Sequence, residues 1–187
     1  DVIITGHADG TIRLWDSDTR TQKKKIKVAG NIRFVGSIGT RGIVAVGDRG
    51  KLGRFMIIDP MTGKILGQSR QFDTAYLEKM GVDPQGRYAI ASDILGDLTV
   101  FDCKALTIRK IENGYSGEDS IAFSRDGSTF IVGGENQNLK LYDSKDFKLI
   151  WELFPAKFML SKRETQLAAA RLQRMKELAA KSARRDA

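Results

Sequence analysis

The apolar residues of this chain fall in short bursts. Each burst is soon followed by a second run that mixes apolar and polar positions and stops at an aspartate. The leading runs are Val2 to Thr5, Ile43 to Val46, Tyr88 to Ser92 and Phe130 to Val132. The closing runs are Thr11-Ile12-Arg13-Leu14-Trp15-Asp16, Arg54-Phe55-Met56-Ile57-Ile58-Asp59, Leu98-Thr99-Val100-Phe101-Asp102 and Leu139-Lys140-Leu141-Tyr142-Asp143. Short apolar runs bounded by Gly, Asp and Asn predict β-strands joined by tight turns. Before the second to fourth pairs lies another strand, ending in Gly39-Thr40-Arg41-Gly42, Pro84-Gln85-Gly86 and Arg125-Asp126-Gly127. After each aspartate a polar turn leads into one more, at Lys23 to Val28, Lys64 to Gln68, Thr107 to Ile111 and Lys148 to Leu153.

The closing aspartates Asp16, Asp59, Asp102 and Asp143 are separated by 43, 43 and 41 residues, the period of a repeated four-stranded unit. Strands apolar on both sides need one such unit in front and another behind. The segment Gly10-Thr11-Ile12-Arg13-Leu14-Trp15-Asp16 resembles the WD-repeat signature, and the resemblance in period and strand order covers residues 1 to about 154. It implies an all-β fold, a WD-repeat β-propeller. Closed propellers use about 4 to 8 blades, so three units and a fragment are expected to be the C-terminal blades of a larger propeller. Blades supplied by a partner are the alternative. The expected boundaries are a partial blade at 1–22 and blades at about 23–67, 68–110 and 111–154.

The resemblance also implies a polar network joining the indole to a turn Asp, a strand Ser or Thr and a loop His. Thr5, Asp9 and Trp15 match three of those positions. His7 follows Gly6 as in the family's Gly-His pair, but it lies in the turn before the signature and is not assigned to the network. In the later units Ile58, Phe101 and Tyr142 replace the tryptophan, so those units are expected to rest on apolar packing. The four closing aspartates are read as structural.

Composition narrows the chemistry. With 187 residues, 41% hydrophobic and 29% charged, the chain has room for a sizeable core. No run approaches the roughly 18 to 20 apolar residues of a membrane span, and no secretory signal is visible. The single Cys103 excludes an internal disulfide, which makes an intracellular setting, cytoplasmic or nuclear, the default. A Cys103–His7 dyad is discounted, because the two residues are expected at opposite ends of their sheets. One histidine and one cysteine leave only carboxylates for a metal, and Asp9, Asp48 and Asp93 are explained as turn formers. The 19 glycines form no phosphate-binding motif. No cofactor, metal, small-molecule substrate or enzymatic activity is expected.

From Ser161 the pattern becomes helical. After a linker at 155–160, Ser161 and Glu164 form a capping box, and the stretch to Ser182 contains neither Gly nor Pro. Ala168, Leu172, Met175, Leu178 and Ala179 make a narrow stripe, with Arg171, Arg174, Lys176, Lys181, Arg184 and Arg185 around it. Residues 161–187 carry eight basic side chains against three acidic, out of a net charge of +8 for the chain. This tail is expected to pack on the propeller or another protein; RNA phosphates are the alternative, although the helix lacks aromatics for base stacking. The run Lys23-Lys24-Lys25-Ile26-Lys27 is read as protection of an edge strand. The expected function is a non-catalytic scaffold in a multi-subunit complex, whose rim presents His7, Asp9, Arg49, Asp93, Glu135, Asn136 and Gln137 to a protein. A ribonucleoprotein component, with the tail on RNA, is the second reading.

Overall fold

The computed structural model describes residues 2–28, 30–39, 42–49, 52–111, 118–134 and 138–153. They form four antiparallel sheets, and no helix is described. The first sheet is β1 (Val2–Gly6), β2 (Thr11–Asp16) and β3 (Gln22–Lys27). The second is β4 (Asn31–Ser37), β5 (Ile43–Arg49), β6 (Leu52–Ile58) and β7 (Ile65–Gln68), with the short β8 (Phe72–Asp73) also paired to β6. The third is β9 (Leu77–Val82), β10 (Tyr88–Asp93), β11 (Leu98–Asp102) and β12 (Ile108–Ile111). The fourth is β13 (Glu118–Phe123), β14 (Thr129–Gly134), β15 (Leu139–Asp143) and β16 (Leu149–Leu153). Strands adjacent in sequence are adjacent in each sheet, β8 excepted. β1, β4, β9 and β13 are neighbours in that order.

The unit boundaries shift from those expected. Gln22–Lys27 hydrogen-bonds to β2, with Ile12 opposite Ile26, so the first unit extends past residue 22. The second sheet likewise reaches Asp73, through the pairing of Leu52 with Asp73 and Gly53 with Phe72. The expected cut at 68 would separate β8 from its partner. The lysine run does lie on an edge strand, since β3 ends the order of the first sheet.

Alternation along each strand sends successive side chains to opposite faces, and both faces of the middle sheets are filled. Ile43, Ala45, Met56 and Ile58 of the second sheet pack against Ile12, Leu14 and Ile26 of the first. The opposite face of the second sheet, with Val44, Val46, Phe55 and Ile57, packs against Leu77, Ala89, Ala91 and Phe101 of the third. Phe55 and Phe101 stack across this seam at 5.0 Å. Ile90, Leu98 and Val100 then meet Phe130, Val132 and Tyr142 of the fourth sheet. A strand hydrophobic at every position is thus explained: odd and even residues serve different neighbours.

The closing aspartates build the turn that follows. Asp16 Oδ1 accepts the amides of Asp18 and Thr19 at 2.8 and 2.9 Å. Asp102 Oδ1 accepts those of Lys104 and Ala105, both at 2.8 Å. Asp59 accepts from Met61 at 2.7 Å, and Asp143 from Lys145 at 2.6 Å. Four residues on, Arg20, Gly63, Leu106 and Phe147 all adopt left-handed φ of 58 to 78°. Each returns its amide to the carbonyl of its own aspartate. Such Asx turns fix the loop by short-range bonding alone.

Candidate functional site

The turns between the second and third strands of the units share one end of the sheets: β1–β2, β5–β6, β10–β11 and β14–β15. Among the described residues, the first is the best equipped with polar groups. Trp15 Nε1 donates to Thr5 Oγ1 at 2.9 Å, and His7 Nε2 lies 2.9 Å from the same oxygen. His7 therefore belongs to the indole network from which the sequence reading omitted it. The cause is strand parity: Thr5 and His7 are two residues apart and point to the face that carries Trp15.

Asp9, expected in that network, is held elsewhere. Its Oδ1 accepts the amide and the hydroxyl of Thr11 at 3.0 and 2.6 Å, while Oδ2 pairs with Arg13 at 3.1 Å. Lys25 stands 3.8 Å from Oδ2, and Lys27 donates to the Asp9 carbonyl. The Thr11 hydroxyl, with help from Arg13, holds the Asp9 carboxyl down at about 2. Arg13, Lys25 and Lys27 thus join the rim, which reading position by position had missed. The signal was available in the alternation, which sets Arg13 opposite Lys25.

Register explains why one unit alone carries the network. Trp15 is opposite Ile3, and its counterparts Ile58, Phe101 and Tyr142 are opposite Ile43, Ala89 and Phe130. Two residues further along, Thr5 corresponds to Ala45, Ala91 and Val132. The hydroxyl and the indole are lost together, so in those units neither is left without the other.

Asp93 is not presented at the rim as expected. It is 4% exposed, and its carboxylate accepts the amides of Ala75, Leu95 and Asp97 at 3.2, 3.0 and 3.1 Å. Burial, with a smaller contribution from the charge of Asp97, pushes its carboxyl up despite those donors. The side chain builds the turn and ties it to the loop entering β9. That loop exposes Tyr76, 53% accessible and at φ 78°, whose carbonyl accepts the Ile94 amide. Leu52 is exposed at the neighbouring turn. Neither was anticipated, because a lone loop tyrosine or leucine carries no periodic signal. Arg49 ends β5 with its backbone opposite Leu52. Glu135, Asn136, Gln137 and the tail residues Arg171, Arg174, Lys176, Lys181, Arg184 and Arg185 lie outside the described residues.

At the other end of the sheets, Cys103 is buried, and its amide bonds the Arg87 carbonyl. His7 and Cys103 occupy turns at opposite strand ends. Among the described residues no three of His, Cys, Asp and Glu gather as a metal group.

The family model for the WD domain, G-beta repeat, matches residues 1–16 and 114–143. No curated protein matches the chain. The matched segments hold Trp15 with its network and the Tyr142–Asp143 closing strand, and the units between them share their period, strand order and aspartate turns. The match, over 46 of the 187 residues, shows that these two segments are similar to the WD repeat.

Proposed function

We propose that this chain is a non-catalytic scaffold, four consecutive blades of a WD-repeat propeller working inside the cell as part of a multi-subunit protein complex. WD repeats generally mediate contacts between proteins. The observation that carries the reading is the rim. At one end, the doubly packed second and third sheets carry an exposed Leu52 and an exposed Tyr76, and the first sheet carries the charged cluster of Asp9, Arg13, Lys25 and Lys27. Exposed apolar and aromatic side chains that share one rim with fixed charges are the composition of a protein-binding surface. The outward faces of the first and fourth sheets, with Ile3 and Trp151 open, favour further sheets on either side.

Affinity capture with the full chain, quantified for Tyr76→Ala, for Arg13→Glu and for deletion of 161–187, tests this. Partners should be lost with the rim variants and retained after ribonuclease treatment. Retention that disappears with ribonuclease and falls steeply with salt would instead place RNA phosphates on the tail. Capture indifferent to both rim changes would overturn the scaffold reading of this surface.

A further inference from the structure

Among the described residues the first sheet has three strands, where each of the others has at least four. Those others begin with an inner strand, β4, β9 or β13, antiparallel to the strand that follows it. Register shows which strand of the first sheet lacks such a partner. Ile3 stands opposite Trp15 as Ile43 stands opposite Ile58, Ala89 opposite Phe101 and Phe130 opposite Tyr142. β1 is therefore the counterpart of β5, β10 and β14, and no described strand pairs with its other edge.

The backbone of that edge is set for pairing. The His7 amide donates to the Thr11 carbonyl, so Ile3, Thr5 and His7 turn their backbone groups toward β2. By alternation Val2, Ile4 and Gly6 turn theirs to the open edge. The counterparts of Val2 are Gly42, Tyr88 and Thr129, whose carbonyls accept the amides of Ile38, Asp83 and Ser124 at 3.0, 2.9 and 2.9 Å. Sheet edges are ordinarily blunted by lysine, proline or a bulge. The outer strand of the same sheet follows that rule, since β3 carries Lys23, Lys24, Lys25 and Lys27. Val2-Ile3-Ile4-Thr5-Gly6 has no charge and no proline, and its register with β2 is unbroken. Ile4 is half-buried, whereas its counterparts Val44 and Ile90, which do have an inner strand beside them, are fully buried.

We infer that β1 is a strand-addition site: a partner polypeptide lays an extended segment antiparallel along its open edge. The inner strands of the other sheets specify that segment. Opposite the counterparts of Thr5 and Ile4 they place Val35-Gly36, Met80-Gly81 and Ile121-Ala122, an apolar residue followed by a small one. The following sheet imposes the small residue, because a Cβ on Gly36 would stand 2.6 Å from Val82 and one on Gly81 2.6 Å from Ile121. A segment beside Ile4 meets β4 in the same way. Backbone pairing supplies the affinity, and the apolar-small pair fixes the register. This edge runs along the sheet and is separate from the rim of Tyr76 and Asp9, so the inference does not depend on that reading.

The test is fluorescence anisotropy of the full chain with a labelled peptide that copies residues 31–38. Saturable binding is expected. N-methylation at the copy of Gly36, the amide that would donate to Ile4, should weaken it about tenfold or more. The same change at the copy of Val35, whose amide faces away from β1, should leave binding intact. Leucine in place of the copied Gly36 should weaken binding as strongly. In the chain, Ile4→Pro removes the edge amide and spares the bonds to β2, so it should abolish binding; the methylated peptides decide the matter if that variant fails to fold. Tyr76→Ala should leave peptide binding unchanged. The proposal is overturned if no saturable binding is seen, if the two methylated peptides bind alike, or if a folded Ile4→Pro chain binds as well as the parent. Apparent affinity that falls as the chain concentration rises would assign the edge to a second copy of this chain and overturn it too.

Discussion

At the scale of single residues, the same amino acid does different work according to burial. Thr5 is the shared oxygen of Trp15 and His7, so Thr5→Val keeps the shape while stranding both partners. A loss of about 1 to 2 kcal/mol in urea unfolding is expected. In a double-mutant cycle with Trp15→Phe the two losses should be less than additive; full additivity would mean that the bond contributes nothing. The carboxyls of Asp93 and Asp9 are shifted in opposite directions from the ordinary value. Asp93 has a folded value above the ordinary 3.8, so its stabilising contribution is full below 3.8 and is lost as pH rises through the raised value. Asp9 and Asp126, both held at about 2, contribute above 3.8 and lose that contribution as pH falls toward 2. Asp93→Asn should therefore gain stability relative to the parent between about pH 4 and pH 7. Urea midpoints for the two proteins that run parallel across that range would refute the assignment.

At the scale of elements, stability rests on turns and on the bonds that sew sheets together. Gly10 adopts φ 73°, and a Cβ there would stand 2.4 Å from the Gly30 carbonyl oxygen, a backbone atom that cannot swing away. Gly10→Ala should cost about 2 kcal/mol or more, measurable as a lowered melting temperature. Between the third and fourth sheets, the buried Asp83 receives Arg87 Nε at 2.7 Å, while Arg87 Nη2 also reaches the Gly127 carbonyl at 2.6 Å. Arg87→Ala leaves a carboxylate buried without its cation. Because the arginine is itself half-exposed, a loss of about 2 kcal/mol is expected, below the range for a fully buried pair. Calorimetry showing no loss would mean that water replaces the guanidinium. Such elements were legible in the sequence wherever they repeat: the aspartate at the end of each closing strand and the period near 43 residues gave the strand order. β8 escaped, because two residues make no periodic signal. The burial of Asp93 escaped too, since a turn aspartate reads alike whether it faces solvent or the loop before β9.

At the scale of the molecule, each seam is made from half the residues of two sheets, so any sheet with only one neighbour leaves half its apolar residues uncovered. The fourth sheet shows this outward side most clearly. Leu139 and Leu141 alternate away from Tyr142 and face outward with their cross-strand partners Leu153 and Trp151. Trp151 is 45% exposed and Leu153 is 42% exposed. The first sheet leaves Ile3 53% exposed beside Trp15. The sequence showed that both faces of every sheet are apolar, but not which faces lack a neighbour, because that depends on stacking order and not on local pattern. Contiguous open faces of this kind drive association. The 187-residue chain should therefore run above its monomer mass of 20.8 kDa in light scattering at rising concentration. Trp151→Glu with Leu141→Glu should return it toward the monomer while sparing the buried seams, because both side chains point away from them. A chain that stays monomeric at every concentration would show that the fourth sheet's outer face is already covered by another part of the same molecule.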